Sequence, residues 1–150
     1  MGLRHVDIYI THNIRGFKSK NGKYGYILAY TKKNGDLGRR EGYGNIGETT
    51  QNSIILTAME EALSRMTESV DITIYQDSMY ISNMFVSGTI ERWRENGFVG
   101  AQNKKIVDFT KWERVSELCE KHVVKVEHYV HHSYTDDITR ELSKMEGNVS

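Results

Sequence analysis

Residues 70–80, Val70-Asp71-Ile72-Thr73-Ile74-Tyr75-Gln76-Asp77-Ser78-Met79-Tyr80, decide how the rest of the chain is read. Val70, Ile72 and Ile74 alternate with polar neighbours, the period of a strand with one buried face. The strand ends at Asp77, and Ser78 opens a short helix to Val86. Upstream, Leu56, Met59, Leu63 and Met66 share one face of a helix that begins at Thr50 or Gln51. Before it, Leu3 to Thr11 alternates around Val6, Ile8 and Ile10 as a first strand, and Tyr24 to Thr31 reads as a second. Asn34-Gly35 suits a hairpin turn because both residues tolerate positive φ. Leu37 to Ile46 then returns as a third, antiparallel strand, weakened by Gly38, Gly42 and Gly44 as in a sheet edge. Downstream, Ile90 to Arg94 is a short helix, and Phe109 to His122 carries Trp112, Val115, Cys119 and His122 at helical spacing. Val123 to Val130 is the last strand. Thr135 to Met145 is the last helix, with Thr135 as N-cap and Asp136 and Asp137 at the positive end of its dipole.

This order predicts an α/β fold: a five-stranded mixed sheet, three strands antiparallel and then two parallel, with helices on both faces. The step from the first strand through the long helix to the fourth strand is expected to be a right-handed crossover. The 150 residues read as one domain that needs no disulfide, with residues 146–150 as a frayed tail. The 20 basic and 20 acidic side chains cancel, so nucleic-acid binding would have to come from a local patch. The lone Cys119 excludes a disulfide framework and a cysteine zinc site, and reads as a packed core residue. No apolar run is long enough for a membrane span and no signal peptide is recognisable, so the expectation is a cytoplasmic protein without membrane contact.

Particular residues add a resemblance to the ribonuclease HI (type I RNase H) family, from Val6 to about Leu142. Tyr75-Gln76-Asp77-Ser78-Met79-Tyr80 resembles the family's T-D-S-x-Y strand end. Trp93, Gly97-Phe98, Asn103-Lys104-Lys105 and Trp112 resemble its W-x3-G-W, basic pair and D-L-W. Tyr24-Gly25 with Ile27-Leu28 is similar to Y-G-x-I-L, and the segment from Thr50 through Asn52 to Ala58 is similar to T-x-N-x-x-E-L-x-A.

The resemblance implies hydrolysis of the RNA strand of an RNA–DNA hybrid by two magnesium ions held by four carboxylates, which stabilise the attacking and leaving oxygens. On this chain those four positions fall on Thr11, Ile55, Asp77 and Arg140, so Asp77 alone is an acid. The family's loop histidine, which helps product departure, falls on His132, without the family's flanking glycines. A threonine hydroxyl is a weak ligand and isoleucine is none. Arg140 is expected to take the place of a metal and pair with Asp77. The centre is then held by an ion pair and apolar packing, with no cofactor, or Mg²⁺ or Mn²⁺ if the chain is active.

Other acids offer little. Asp7 shares a strand face with Thr11 but lies roughly 13 Å away along it. Glu60 and Glu61 lie beyond the neighbouring turn from Ile55, and Glu61 is expected to face water. Asp136 and Asp137 are the candidates for a rearranged metal site with Asp77. His122, His128, His131 and His132 invite a zinc reading that lacks a second carboxylate or cysteine group. Arg92, Arg94, Lys104 and Lys105, with Lys111 and Arg114, correspond to the basic protrusion that grips the hybrid in active relatives, but Glu91, Glu95, Asp108 and Glu113 interleave with them. Trp93 and Trp112 read as core anchors. Asn13, Thr50 and Asn52 are candidates to hold a sugar or phosphate oxygen.

The reading is an RNase H-like protein that has lost most metal-binding carboxylates and acts by binding a hybrid, another nucleic acid or a protein partner. One rival is an active hybrid ribonuclease with a rearranged divalent-metal centre, and the other a purely structural subunit. A viral or mobile-element origin would suit such a diverged chain. The residues do not specify an oligomeric state.

Overall fold

The structure, a computed structural model, describes residues 3–15 and 19–147. Its centre is strand β1 (His5–His12). Val6, Ile8, Ile10 and His12 point to one face and are buried, while Asp7, Tyr9 and Thr11 point to the other. β2 (Ser19–Thr31) pairs antiparallel with β1, and β3 (Leu37–Thr49) antiparallel with β2. β4 (Asp71–Gln76) lies parallel on the other side of β1, and β5 (Val123–His128) parallel beyond it. The order is β3-β2-β1-β4-β5, the mixed five-stranded sheet that the sequence predicts.

The helices are α1 (Gln51–Leu63), α2 (Met79–Val86), α3 (Thr89–Asn96), α4 (Phe109–Cys119) and α5 (Thr135–Gly147). α1 supplies more of the core than any other helix. Ile54, Ile55, Leu56, Ala58, Met59, Ala62 and Leu63 are all buried against the sheet and α4. Thr50 caps α1 by accepting from the Ser53 N–H. Trp112 of α4 is fully buried and meets Trp93 edge-on at 5.3 Å, so both tryptophans are the predicted core anchors. Lys111 bolts α4 to α1, donating to Ser53 Oγ (2.7 Å) and Thr57 Oγ1 (2.9 Å). On the opposite face α5 works alone, setting Ile138 and Leu142 on Ile27.

The glycines of the edge strand have a steric cause. Gly38, Gly42 and Gly44 lie opposite Tyr30, Tyr26 and Tyr24, whose rings cross directly over them. A Cβ on Gly42 would stand 2.3 Å from Tyr26. Tyr24 and Tyr26 then reach α1 and donate their hydroxyls to Glu61. Burial, followed by the Glu61 hydrogen bond and charge, pushes the Tyr24 hydroxyl well above its usual range. Glu61 therefore ties sheet to helix, correcting the expectation that it faces water.

Several boundaries differ from expectation. β2 begins at Ser19, ahead of Tyr24, and β3 runs on to Thr49. Met66 and His122 lie just past the ends of α1 and α4, and His122 accepts from the Val70 N–H. A 3₁₀ turn at Ala101–Asn103 has no hydrophobic period to announce it. Thr135 is the first residue of α5, and its hydroxyl accepts from the His132 N–H, so it does not serve as the N-cap. α5 includes Glu146 and Gly147, which corrects the start of the expected tail; residues 148–150 lie outside the described residues. Cys119 is packed against the core, and burial pushes its thiol up to about 12. Among the described residues no helix is long and apolar enough to cross a membrane.

The tyrosine-over-glycine packing predicts that Gly42→Val destabilises the protein by about 1–3 kcal/mol, because the Tyr26 ring must leave its place. Leu37→Ala, at a site 86% exposed, should change stability by less than about 0.5 kcal/mol. Urea denaturation of the two variants checks both.

Candidate functional site

Asp77 follows directly on β4, between two polar clamps. Gln76 is fully buried; its Oε1 accepts from the Ser78 N–H (2.7 Å), and its Nε2 donates to Ser82 Oγ (2.9 Å) and Ser78 O (3.1 Å). Ser78 caps α2 through the Ile81 N–H and donates its hydroxyl to Asn52 Oδ1 at 2.6 Å. The backbone on either side of Asp77 is thus fixed, and its carboxylate has a defined aim.

That aim is at His12. Nε2 of His12 donates to Asp77 Oδ1 at 2.7 Å, while Nδ1 accepts from the Ile14 N–H at 3.1 Å. The ring is thereby oriented from both ends. The His12 side chain is 1% exposed and that of Asp77 27%. Gln51, the first residue of α1, donates its Nε2 to the same Oδ1 (3.2 Å) and to the Asp77 carbonyl (3.1 Å). Burial on its own would raise the Asp77 carboxyl. The hydrogen bond and charge of His12, the Gln51 bond and the Arg15 charge outweigh it and hold the carboxyl below its ordinary value.

The other expected members of the site bond to other partners, although Thr11 is level with Asp77 in the β1–β4 register and His132 is near enough to feel its charge. Thr11 Oγ1 is 2.9 Å from His132 Nε2, which also meets the Ile10 carbonyl at 2.9 Å. His132 Nδ1 accepts from the Tyr134 N–H, so the ring hydrogen sits on Nε2. Burial lowers the His132 pKa, against the Ile10 carbonyl, which raises it. His132 is 7% exposed and bonded at both nitrogens, which holds its ring in one orientation. Ile55 is buried in the core. Arg140 is exposed and pairs with Asp137 at 3.6 Å; its expected pairing with Asp77 is replaced by that of His12. Asp136 bonds His131 (3.2 Å) and Asp137 also meets Arg39 (3.9 Å), so the ion pairs of these acids are made away from Asp77.

The polar helpers and the basic stretch are mostly engaged. Asn13 ties the end of β1 to β2, donating to Asn21 O and accepting from the Lys23 N–H. Arg92 donates to Thr89 Oγ1, and Arg94 pairs with Glu120 at 2.5 Å. Lys105 donates to Gly97 O (2.7 Å) and lies 5.2 Å over the Phe109 ring. Lys104 is exposed and makes no ion pair among the described residues. The expected gripping patch is thus a mixed-charge surface whose cations mostly serve the fold. Beside Asp77 a groove of about 440 Å³ is lined by Thr50, Gln51, Asn52, Tyr80, Asp108 and Trp112.

His12 and Gln51 escaped the sequence reading. One signal was present: His12 is a polar residue in phase with Val6, Ile8 and Ile10, on the core side of β1. A buried polar group needs a partner, and Asp77 is the one that the parallel β1–β4 pairing brings close. The donor set does not fit a pair of divalent cations: among the described residues no three His, Cys, Asp or Glu side chains converge. That also removes the reading of His122, His128, His131 and His132 as a zinc site among those residues.

Comparison with known proteins agrees with this architecture. The sequence profile of the RNase H family matches residues 13–140. The ribonuclease H of Clostridium botulinum is 30% identical over 125 residues, covering 82% of this chain and 80% of that protein. The ribonuclease H of Chlorobium luteolum is 33% identical over 121 residues, covering 81% and 79%. Among solved structures, LC9-RNase H1, a type 1 RNase H with the type 2 active-site motif, superposes with a TM-score of 0.76 at 17% identity, covering 99% of this chain and 75% of that one. A foamy viral protease-reverse transcriptase in complex with an RNA/DNA hybrid superposes at 0.66 and 18% identity, covering 96% of this chain and 19% of that one. With an RNase H sheet order, a matching profile over most of its length and relatives at this identity, the chain belongs to the RNase H family.

Proposed function

We propose that this member of the RNase H family acts by binding a nucleic acid, RNA–DNA hybrid first among them, without two-metal cleavage. The observation that carries the reading is the 2.7 Å bond from His12 to Asp77. In this reading Thr11, Ile55 and Arg140 stand at the positions where active relatives carry their other acids. The imidazole and the Gln51 amide supply to Asp77 the stabilisation that divalent cations supply there. A metal would have to displace both and would find no third His, Cys, Asp or Glu side chain converging with His12 and Asp77 among the described residues.

The groove beside Asp77 supports a binding role. Asn52 accepts a hydroxyl through Oδ1 and keeps its amide hydrogens for a ligand, and Tyr80 is 45% exposed at the groove's edge. Amides and hydroxyls suffice to position a sugar or phosphate oxygen. With Lys104 as the least committed cation of the protrusion and Asp108 in the groove, such binding is modest and only weakly salt-dependent. A second reading, hydrolysis at a rearranged centre, draws support from the curated relatives, which bear the name ribonuclease H. It requires Asp77 to release His12.

Incubation with labelled hybrid and Mg²⁺ or Mn²⁺ separates the two. The expected result is saturable hybrid binding by fluorescence anisotropy with no metal-dependent cleavage. Cleavage that Asp77→Asn abolishes would overturn the binding reading in favour of hydrolysis, and absence of both binding and cleavage would leave a structural subunit. Thermal denaturation gives an independent check: Mg²⁺ at about 10 mM should leave Tm unchanged, because only a ligand bound to the folded state raises it.

The bond itself makes a stability prediction. His12→Ala should cost about 2–4 kcal/mol, because it opens a cavity and strips a half-buried carboxylate of its nearest donor. The Asp77 carboxyl is held below its ordinary value of 3.8, so its contribution is present above that value and is lost as pH falls through the lower, folded value. The stability gap between the wild type and Asp77→Asn, followed by urea denaturation from pH 7 to pH 3, should therefore close below about pH 4.

A further inference from the structure

The pole opposite Asp77 carries a second concentration of chemistry. Asp77 lies beyond the C-terminal end of β4, whereas Arg4 precedes β1 and Val70 precedes β4. The length of a six-residue strand, about 20 Å, separates the two ends. Here the start of the sheet, the end of α1 and the chain entering β4 enclose a recess of about 310 Å³.

The lining is unusual in its charge. Arg4, Arg40 and Arg65 all face the recess, against one carboxylate, Glu68, among its lining residues. The chain as a whole has equal numbers of acidic and basic residues, so this excess of guanidinium is local. Each arginine is incompletely neutralised. Arg4 meets Glu68 only at 3.7 Å, with both side chains about half exposed. Arg65 is held by neutral acceptors: its Nη1 donates to the Glu41 carbonyl (3.0 Å) and the Tyr26 hydroxyl (3.3 Å), and its guanidinium lies 5.9 Å over the Tyr26 ring. The side chain of Arg40, opposite Leu28 on the edge strand, makes no ion pair or hydrogen bond among the described residues. His5 also borders the recess, but its ring nitrogens are taken by Asp7 (2.7 Å) and Asp71 (3.2 Å).

Like charges gathered in a concave, partly apolar wall focus a positive potential into it. A guanidinium offers a planar fork of donors that matches phosphate oxygens, and Arg65 is already immobilised in one orientation. The rest of the lining is apolar or aromatic at Val6, Leu28, Tyr30, Met66 and Val70, with the two threonines Thr31 and Thr67 beside them. Such a mixture, at this volume, is the composition of a small-ligand site. We propose that this recess binds a phosphomonoester carried on an aromatic body of about nucleotide size, with Arg40 and Arg65 on the phosphate and Tyr30, Leu28 and Met66 against the ring. A free mononucleotide and the terminal phosphate of a nucleic-acid strand share this chemistry. The site stands apart from Asp77, and its test does not depend on the reading of that residue.

Calorimetric titration of the full chain with AMP, adenosine and inorganic phosphate tests it. AMP should bind saturably below about 1 mM, with adenosine and inorganic phosphate each at least roughly tenfold weaker. Arg40→Ala should weaken AMP binding by roughly tenfold without a change in Tm, since its guanidinium holds nothing else, and Arg40→Lys should recover part of the loss. A 5′-phosphorylated trinucleotide that binds more tightly than AMP identifies a strand end as the ligand, and one that does not identifies the free nucleotide. No saturation by AMP, equal binding of adenosine, or an unaltered affinity in Arg40→Ala would overturn the proposal.

Discussion

A histidine that points into a hydrophobic core must have an acceptor, and in this protein that need organises the end of the sheet. The ring of His12 leaves β1 on the side of Val6, Ile8 and Ile10, where water does not follow. Its two nitrogens are satisfied by the Ile14 amide and the Asp77 carboxylate. Asp77 can meet it because β1 and β4 run parallel and adjacent, and because Gln76 and Ser78 hold the backbone on either side. Gln51 then joins the first turn of α1 to the same oxygen. Three elements from distant parts of the chain thus meet on one carboxylate.

The same logic of satisfied buried polar groups recurs at the edge of the sheet. Glycines in β3 admit the rings of β2, and the tyrosine hydroxyls end on Glu61 rather than in water. Arg65 continues this chain to the Glu41 carbonyl, which joins the edge strand to the residue just past the end of α1. Glycine content that weakens an isolated strand here permits the packing that holds the edge strand to the helix.

Charge follows position as much as number. Of the cations in the helical protrusion, Arg92, Arg94 and Lys105 are spent on internal partners, and Lys111 binds α4 to α1. The arginines at the opposite pole are fewer but less neutralised. A neutral chain can therefore carry a locally positive surface, and the surface is not the one that charge clusters in the sequence mark out. Proximity along a helix favours i,i+3 and cross-helix pairing, whereas Arg4, Arg40 and Arg65 come from separate segments.

Alternation in β1 and β4, the three- and four-residue spacing in α1 and the Asn34-Gly35 turn are enough to establish the sheet and its strand directions, while the family resemblance rests on particular residues such as those around Asp77. Those signals are local: side-chain period follows backbone geometry within a few residues. Asp77 was legible too, because a strand end followed by a helix cap places it at the tip of the sheet. The partner of Asp77 was not. Arg140 was the expected one, yet α5 turns it toward Asp137 and water, and His12 takes the contact. Glu61 and Arg40 likewise depend on which residues lie across the fold rather than along the chain. Pair distances between segments separated by tens of residues arise only when the sheet closes and the helices settle. A single sequence records which groups need partners, while the packed tertiary structure chooses them.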